Sequence, residues 1–271
     1  MGVFRYTSCM DDLLEKNEIL KKMLDATLPV AEADPLGKIE SGTYRVARSV
    51  LRKNIMRLQS IIVLNGYDKM SDSSLELVRN MIEDAISLGY ILSDENLEEK
   101  ANSFFQFIRI QDKQDIDYAI KLSPKITNEL RQKRNQVYKD YRKVRTGYPK
   151  YFKDDNSPRH SWSEHGVDGM ADILRKRRVY TKKEIRNMLR AYQLGSRKVH
   201  FNPHDLLNYY DQGVWDHASK KSLEISILGA GAGFTSIVVR YFDVIWHYDK
   251  NSNGKEIVQV LYDLLEQIHV S

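Results

Sequence analysis

Residues 73–92, SSLELVRNMIEDAISLGYIL, decide the fold class. Ser73-x-x-Glu76 has the form of a capping box, in which a hydroxyl and a carboxylate three positions apart satisfy backbone N–H groups at a helix start. The residues after it are apolar at helical spacing to about Leu92. Arg79 and Glu83 interrupt that apolar run. They stand four residues apart, which puts them on one face. A charged pair in such a helix has to neutralise itself wherever it is buried.

The same pattern extends in both directions. Residues 9–28 carry Leu13, Leu14, Ile19, Leu20, Met23 and Leu24 at helical spacing, and Pro29 and Pro35 bracket a linker after them. Residues 38–65 predict a long helix that Gly66 ends. Asp94 is placed to cap the helix that holds Phe104 and Phe105, and Ser123-Pro124 to open the next, which runs to about Val144. Residues 146–160 read as a loop. Ser161-x-x-Glu164 and Thr181-x-x-Glu184 are further capping boxes. Residues 217–246 form a long apolar helix and 255–269 a last one. The expectation is an all-α fold: a multi-helix antiparallel bundle of about nine helices, with no convincing strand. Residues 1–271 form a single helical domain, and 1–35 an N-terminal helical extension.

Composition narrows the function classes. Cys9 is the only cysteine, so no internal disulfide framework and no Cys-rich zinc site is expected, and a reducing compartment fits. The start lacks the apolar run of a signal peptide, and Tyr6 stands where N-myristoylation wants Ser or Thr. The stretch Ile225–Trp246 is long enough to span a bilayer, but Arg240, Asp243 and several glycines make it a buried core helix. A cytoplasmic protein without membrane association is the expectation. No cofactor and no metal are expected. His200-x-x-x-His204-Asp205 is interrupted by Pro203, and Gly229-Ala-Gly231-Ala-Gly233 lacks the strand and the Lys-Ser/Thr of a phosphate loop.

Charge is distributed unevenly. Residues 131–198 hold 20 Lys and Arg against 7 Asp and Glu, a net of +13, while the remainder holds 22 against 30, a net of −8. Such an excess attracts phosphate-rich partners by counterion release. Arg134, Arg142, Lys143, Arg145, Arg175, Arg177, Arg178, Lys182 and Lys183 are the candidate nucleic-acid contacts. Tyr138, Tyr141, Tyr148, Tyr151, Phe152, Trp162 and Tyr180 lie among them as rings on which bases can stack. The competing account is that these charges are solvated faces, or that they dock on the chain's own acidic part or on a second subunit.

Tyr192, Ser196 and His200 recur every four residues, so a continuing helix aligns them in one stripe. A hydroxyl–hydroxyl–imidazole row can position a substrate or carry a proton. Arg190 lies a turn before Ser196, and Arg79 with Glu83 can supply a cation and a base from across the bundle. The alternative makes His200 a core histidine bonded to a facing helix.

These elements resemble a bacterial family known only as a domain of unknown function, number 5677. The resemblance rests on SSLELVRNMIEDAISLGYIL, on ANSFFQFIR (101–109), on SWSEHGVDGMADIL (161–174), on YQLGSRKVH (192–200) and on the small-residue-rich helix after it. It covers roughly residues 45–245. The family in turn resembles the helical HEPN-type proteins, many of which are RNases of toxin or phage-defence systems. That resemblance implies RNA cleavage by an Arg and a His four to six residues apart, usually completed across a dimer. Here Arg197 lies three positions before His200 and Arg190 ten, so this chain departs from that spacing. Two functions follow. One is a metal-independent ribonuclease with His200 as acid/base, Arg79 or Arg190 on the phosphate, and Ser196 and Tyr192 orienting the substrate. The other is a non-catalytic module binding nucleic acid or a partner protein through residues 131–198. The expected partners are RNA or another nucleic acid, a second copy in a homodimer, or a partner protein.

Overall fold

The computed structural model describes residues 3–33, 41–67, 71–122, 125–153, 157–158, 163, 165–199, 215–250 and 254–270. Among them the chain is all-helical, with nine α-helices. These are α1 (Val3–Glu32), α2 (Gly42–Asn65), α3 (Ser71–Leu92), α4 (Leu97–Leu122), α5 (Asn128–Gly147), α6 (Val167–Lys176), α7 (Lys182–Val199), α8 (Trp215–Tyr248) and α9 (Gly254–Val270). The one pairing of extended backbone among the described residues is an isolated bridge between Phe152 and Pro158. The chain divides into two compact units, residues 1–93 with 167–271, and residues 94–166.

In the first unit α3 packs against α8, α7, α2 and α6, and α8 also meets α1, α2, α7 and α9. The stretch that decided the fold class is central. Leu75, Val78, Met81, Ile82, Ala85, Ile86, Leu88 and Ile91 are each exposed by 2 % or less. Full burial of the Leu, Val, Ile and Met side chains among them stabilises by about 1.5–3 kcal/mol each before chain entropy is subtracted. The segment long and apolar enough to cross a membrane, Lys221–Tyr248, has 67 % of its 18-residue apolar window buried within the fold. Its core contribution comes from Ile227, Phe234, Ile237, Val238 and Tyr241. A buried polar chain pins the register of four helices. Ser226 donates to Asn65 Oδ1 (3.1 Å), leaving Ser74 as the donor to Ser226 (2.7 Å). Asn65 donates to Asn17 Oδ1 (3.3 Å), and Asn17 donates to the Ile62 carbonyl (3.0 Å). Sliding any one helix by a residue leaves these groups buried without partners.

The second unit is smaller. α4 packs on α5, and α5 on a short 3-10 turn, Pro149–Tyr151. Its core is Phe107, Ile110, Tyr141, Val144, Tyr151 and Phe152. Burial pushes the Tyr151 phenol up to about 12. Its hydroxyl is bonded to the Ser103 hydroxyl and carbonyl.

Several helix ends differ from those the sequence suggests. α1 runs on through Pro29, with the Ala33 amide bonded to the Pro29 carbonyl (3.0 Å). α3 starts at Ser71, so Ser73 and Glu76 fall inside its first turns. Asn96, rather than Asp94, caps α4: its Oδ1 accepts from the Glu99 amide (3.4 Å) and its Nδ2 reaches the Glu99 carboxylate (2.7 Å). Thr127 caps α5 by accepting from the Leu130 amide (3.2 Å), a role the sequence had given to Ser123-Pro124, which lie outside the described residues. Thr181-x-x-Glu184 closes as a capping box, with the Glu184 amide on Thr181 Oγ1 (3.2 Å) and the Thr181 amide on the Glu184 carboxylate (2.7 Å). Ser161 and Glu164 lie outside the described residues.

Candidate functional site

The site is built where α3, α7 and α8 cross. Gly195 of α7 lies so close to α3 that a Cβ there would stand 2.4 Å from the Leu75 carbonyl oxygen and 2.7 Å from Arg79 Cβ. Only a residue without a Cβ permits that approach. Gly229 of α8 performs the same service from the other side, where a Cβ would meet Val78 at 2.7 Å and Ala191 at 3.0 Å. The Thr181 box fixes where α7 begins, and Gly195 fixes where it touches α3.

That contact brings together residues 117 positions apart in sequence. Arg79 Nε donates to Ser196 Oγ at 2.9 Å, and its guanidinium lies 5.2 Å from the centroid of the Tyr192 ring. Its Nη1 donates to Asn80 Oδ1 at 3.2 Å, and its Nη2 faces Glu83 at 3.7 Å. The Arg79 and Glu83 side chains keep 21 % and 42 % exposure, so the pair sits at a solvent-reached rim instead of in the core. A guanidinium spread over a hydroxyl, a ring and a carboxylate is oriented, yet it keeps access to an anion.

A second row on α3 supports the first. Asp84 accepts from Arg57 Nη1 (2.5 Å) and from Asn54 Nδ2 (2.9 Å), with Lys53 at 3.3 Å. The same Arg57 nitrogen reaches the Asn80 carbonyl (3.1 Å). Asn80 therefore receives Arg57 on its backbone and Arg79 on its side chain. Asp84, Arg57 and Asn54 were not candidates from the sequence. Their only sequence-level signal was that Asn80 and Asp84 repeat the four-residue spacing of Arg79 and Glu83.

The remaining candidates are placed as follows. Arg190 is exposed on a different face of α7, where it lines a groove against α8 and α9 with Lys221, Glu224 and His269. It does not join Arg79. His200, His204 and Trp162 lie outside the described residues. Arg134, Arg142, Lys143, Arg145, Arg175, Arg177, Arg178, Lys182 and Lys183 are all exposed. They are divided between the units, residues 131–166 in one and 167–198 in the other. Part of this charge is neutralised locally. Arg175 and Lys176 share Asp172 at 2.6 and 2.7 Å, Lys143 faces Asp140 at 3.8 Å, and Arg177 donates to the Ser93 carbonyl at 2.5 Å. Arg178 takes a left-handed φ of 57° where α6 ends, in a turn closed by the Val179 amide on the Leu174 carbonyl (3.0 Å). The proposed stacking rings need correction. Tyr141, Tyr151, Phe152 and Tyr180 are buried, because the fold needs them as core. Tyr138 and Tyr148 are half-buried.

Among the described residues no group of three or more His, Cys, Asp or Glu could hold a metal ion. What fold and site define is an all-helical protein with an arginine-centred polar network at a glycine-permitted helix crossing. The chain belongs to the family of unknown function DUF5677, whose sequence profile matches residues 44–217. No curated protein and no solved structure matches it. The matched span runs from α2 to the first turn of α8 and contains every residue of the Arg79 network.

Proposed function

We propose that this chain is a HEPN-like, nucleic-acid-associated protein of the toxin or defence-effector kind, acting on RNA at the α3–α7 crossing. The observation that carries the reading is the bond from Arg79 Nε to Ser196 Oγ, with the Tyr192 ring against the same guanidinium. Metal-independent cleavage of RNA needs a base for the 2′-OH and a cation for the charge that develops on phosphorus. Arg79 supplies the cation. Ser196 and Tyr192 orient it and the substrate, and Glu83 tempers its charge from the rim. His200, one helical turn beyond Ser196 in sequence, supplies the acid/base group. Arg190 faces elsewhere, so the phosphate role falls to Arg79. The reading places the protein in the cytoplasm as a homodimer, since the helical RNases it resembles usually complete their site across a dimer.

The test is cleavage of a panel of structured and single-stranded RNAs by the full chain without added metal. Wild type cleaves, while His200→Ala and Arg79→Ala each lose at least about 100-fold in rate, the range for removing one transition-state donor or one acid/base group. No cleavage by wild type, or cleavage by both variants equal to that of wild type, overturns the reading.

One observation favours a second reading, non-catalytic binding through the basic segment. On α5, Arg131, Lys133, Lys139, Arg142 and Arg145 are exposed, and none forms an ion pair with a described residue. The nearby carboxylates of α4 are already engaged, Asp112 by Arg109 and Asp117 by Lys113 and Tyr138. Five such cations on single-stranded RNA give a slope of log affinity on log salt of about −3.5. A slope near zero removes this reading.

A further inference from the structure

The other face of α7 carries a site that none of the preceding arguments uses. Two adjoining cavities, of about 210 and 110 Å³, run along α8 between α7 and α9. They share Asn187, Met188, Ala232 and His269 in their walls, so they form one groove. Its floor is made low by Ala232, and its central walls are apolar, from Met188, Ile225, Leu228 and Leu265. Its combined size lies near the lower end of small-molecule sites, about 300–1,000 Å³. Most of the groove comes from α8 and α9, which lie almost wholly beyond the family-matched residues 44–217.

The polar groups have a defined order along it. The outer mouth carries Arg190 and Lys221, two exposed cations, against one carboxylate, Glu224. Midway stands Asn187, an exposed amide without a hydrogen-bonded partner among the described residues. The inner cavity is lined by hydroxyls from Tyr180, Thr235, Ser236 and Tyr262, by Arg240, and at its edge by the exposed carboxylate of Glu184. Tyr180 and Ser236 are bonded to each other. Thr235 is 2 % exposed, and its Oγ1 has no partner among the described residues. The half-buried Arg240 donates to Asp243 (2.7 Å) and to the Val179 carbonyl (3.1 Å), while its buried Nε is likewise unpartnered. Buried polar atoms without partners are rare, and a side chain that carries one in the wall of a cavity can turn it toward a ligand's heteroatom. An apolar slot with unused donors at its inner end and surplus cations at its mouth matches a flat heteroaromatic ring joined to an anionic group.

We propose that this groove binds a nucleoside monophosphate. The base lies in the inner cavity, with its edge toward Thr235 and the Asn187 amide. The ribose crosses Ala232, and the phosphate meets Arg190 and Lys221 at the mouth. An amide is well suited to a base edge because it offers a donor and an acceptor side by side.

The test is isothermal titration calorimetry of the full chain with AMP, GMP, CMP and UMP, and with adenosine and inorganic phosphate as separate probes. At least one nucleotide binds saturably in the micromolar range, and inorganic phosphate alone does not. Asn187→Leu weakens the nucleotide about tenfold, the loss expected for one hydrogen bond. Ala232→Leu fills the groove and abolishes binding. Arg190→Ala with Lys221→Ala weakens the nucleotide about tenfold and leaves the nucleoside unchanged. Asn187, Arg190 and Lys221 are exposed, so those variants keep the fold even if Ala232→Leu does not. The proposal fails if none of the four nucleotides binds saturably. It also fails if Asn187→Leu and the double variant bind as wild type, or if phosphate alone binds as tightly as the nucleotide. RNA cleavage plays no part in these readouts, so the two proposals stand or fall separately.

Discussion

The two units of this chain use glycine and charge in opposite ways. In the first, Gly195 and Gly229 sit where helices nearly touch, and Arg79 with Glu83 is held at that crossing and joined through Asn80 to the Arg57–Asp84 pair between α2 and α3. In the second, Gly147 has nothing within 4 Å of where its Cβ would be, and the cations of α5 point into solvent. Only Tyr141 and Val144 of that helix are buried. Tight crossings fix charges in one geometry, as a site needs. A thinly packed helix leaves its charges movable, which suits a surface that meets a flexible polyanion.

The sharpest way to break the comparison is to give each glycine a methyl group. Gly195→Ala drives a carbon into the Leu75 carbonyl, and α7 has to move off α3. The loss is about 3 kcal/mol or more, the upper range for overpacking. Gly147→Ala meets open space and gains about 0.4–1 kcal/mol by restricting the unfolded chain. Urea melts of the two variants check this, and a neutral Gly195→Ala would mean that the crossing is looser than its geometry. Asp84→Ala comes next. It strips Arg57, whose side chain is 17 % exposed, of its carboxylate and costs about 2 kcal/mol in the same melts. In the second unit, Tyr151→Phe removes the buried hydroxyl bonded to Ser103 and costs about 1 kcal/mol.

Arg178→Gly tests a basic residue against its own backbone. A side chain at φ 57° costs about 1 kcal/mol that glycine avoids, so the variant melts higher. If it also binds RNA more weakly, the arginine is kept there for its charge. Unchanged RNA affinity would remove Arg178 from the candidate contacts.

The sequence announced the helices because each carries its own period and its own caps. It also announced the Tyr192–Ser196 row and the Arg79–Glu83 row, since four-residue spacing is local information. It did not announce that the two rows meet. Within YQLGSRKVH, Gly195 reads as a weak point in a helix, and its use becomes visible only when the Leu75 carbonyl stands beside it. Arg57 and Asp84 were hidden for a related reason, lying 27 positions apart with no local pattern to join them. The rings of Tyr141, Tyr151 and Phe152 were misread because base stacking and core packing draw on the same residue types. Burial separates the two uses, and sequence does not record burial. The groove on α8 is drawn from residues between 179 and 269, so its polar order exists only in three dimensions.

The smallest predicted effect concerns the few charges of the second unit that are fixed. Burial pushes the Asp117 carboxyl up, but hydrogen bonds from Lys113 (2.6 Å) and Tyr138 (2.5 Å) outweigh it and hold the group below its ordinary value of 3.8. The bond to Asp117 correspondingly holds the Lys113 ammonium above its usual range. A carboxyl whose folded value is depressed binds its proton less readily in the folded state. Its contribution is complete above the unfolded value and disappears as pH falls through the folded one. Asp117→Asn therefore lowers stability at pH 7 and ceases to matter once pH has fallen through the depressed folded value, where the two urea curves converge. The gap at pH 7 is under about 1 kcal/mol, because the carboxylate is 39 % exposed and solvent screens the pair. Molar salt narrows it further. A gap that persists unchanged at low pH would assign the effect to packing by the Asp117 side chain. The second unit would then hold α5 by shape, as the first unit holds α7, and the contrast between them would lose its electrostatic half.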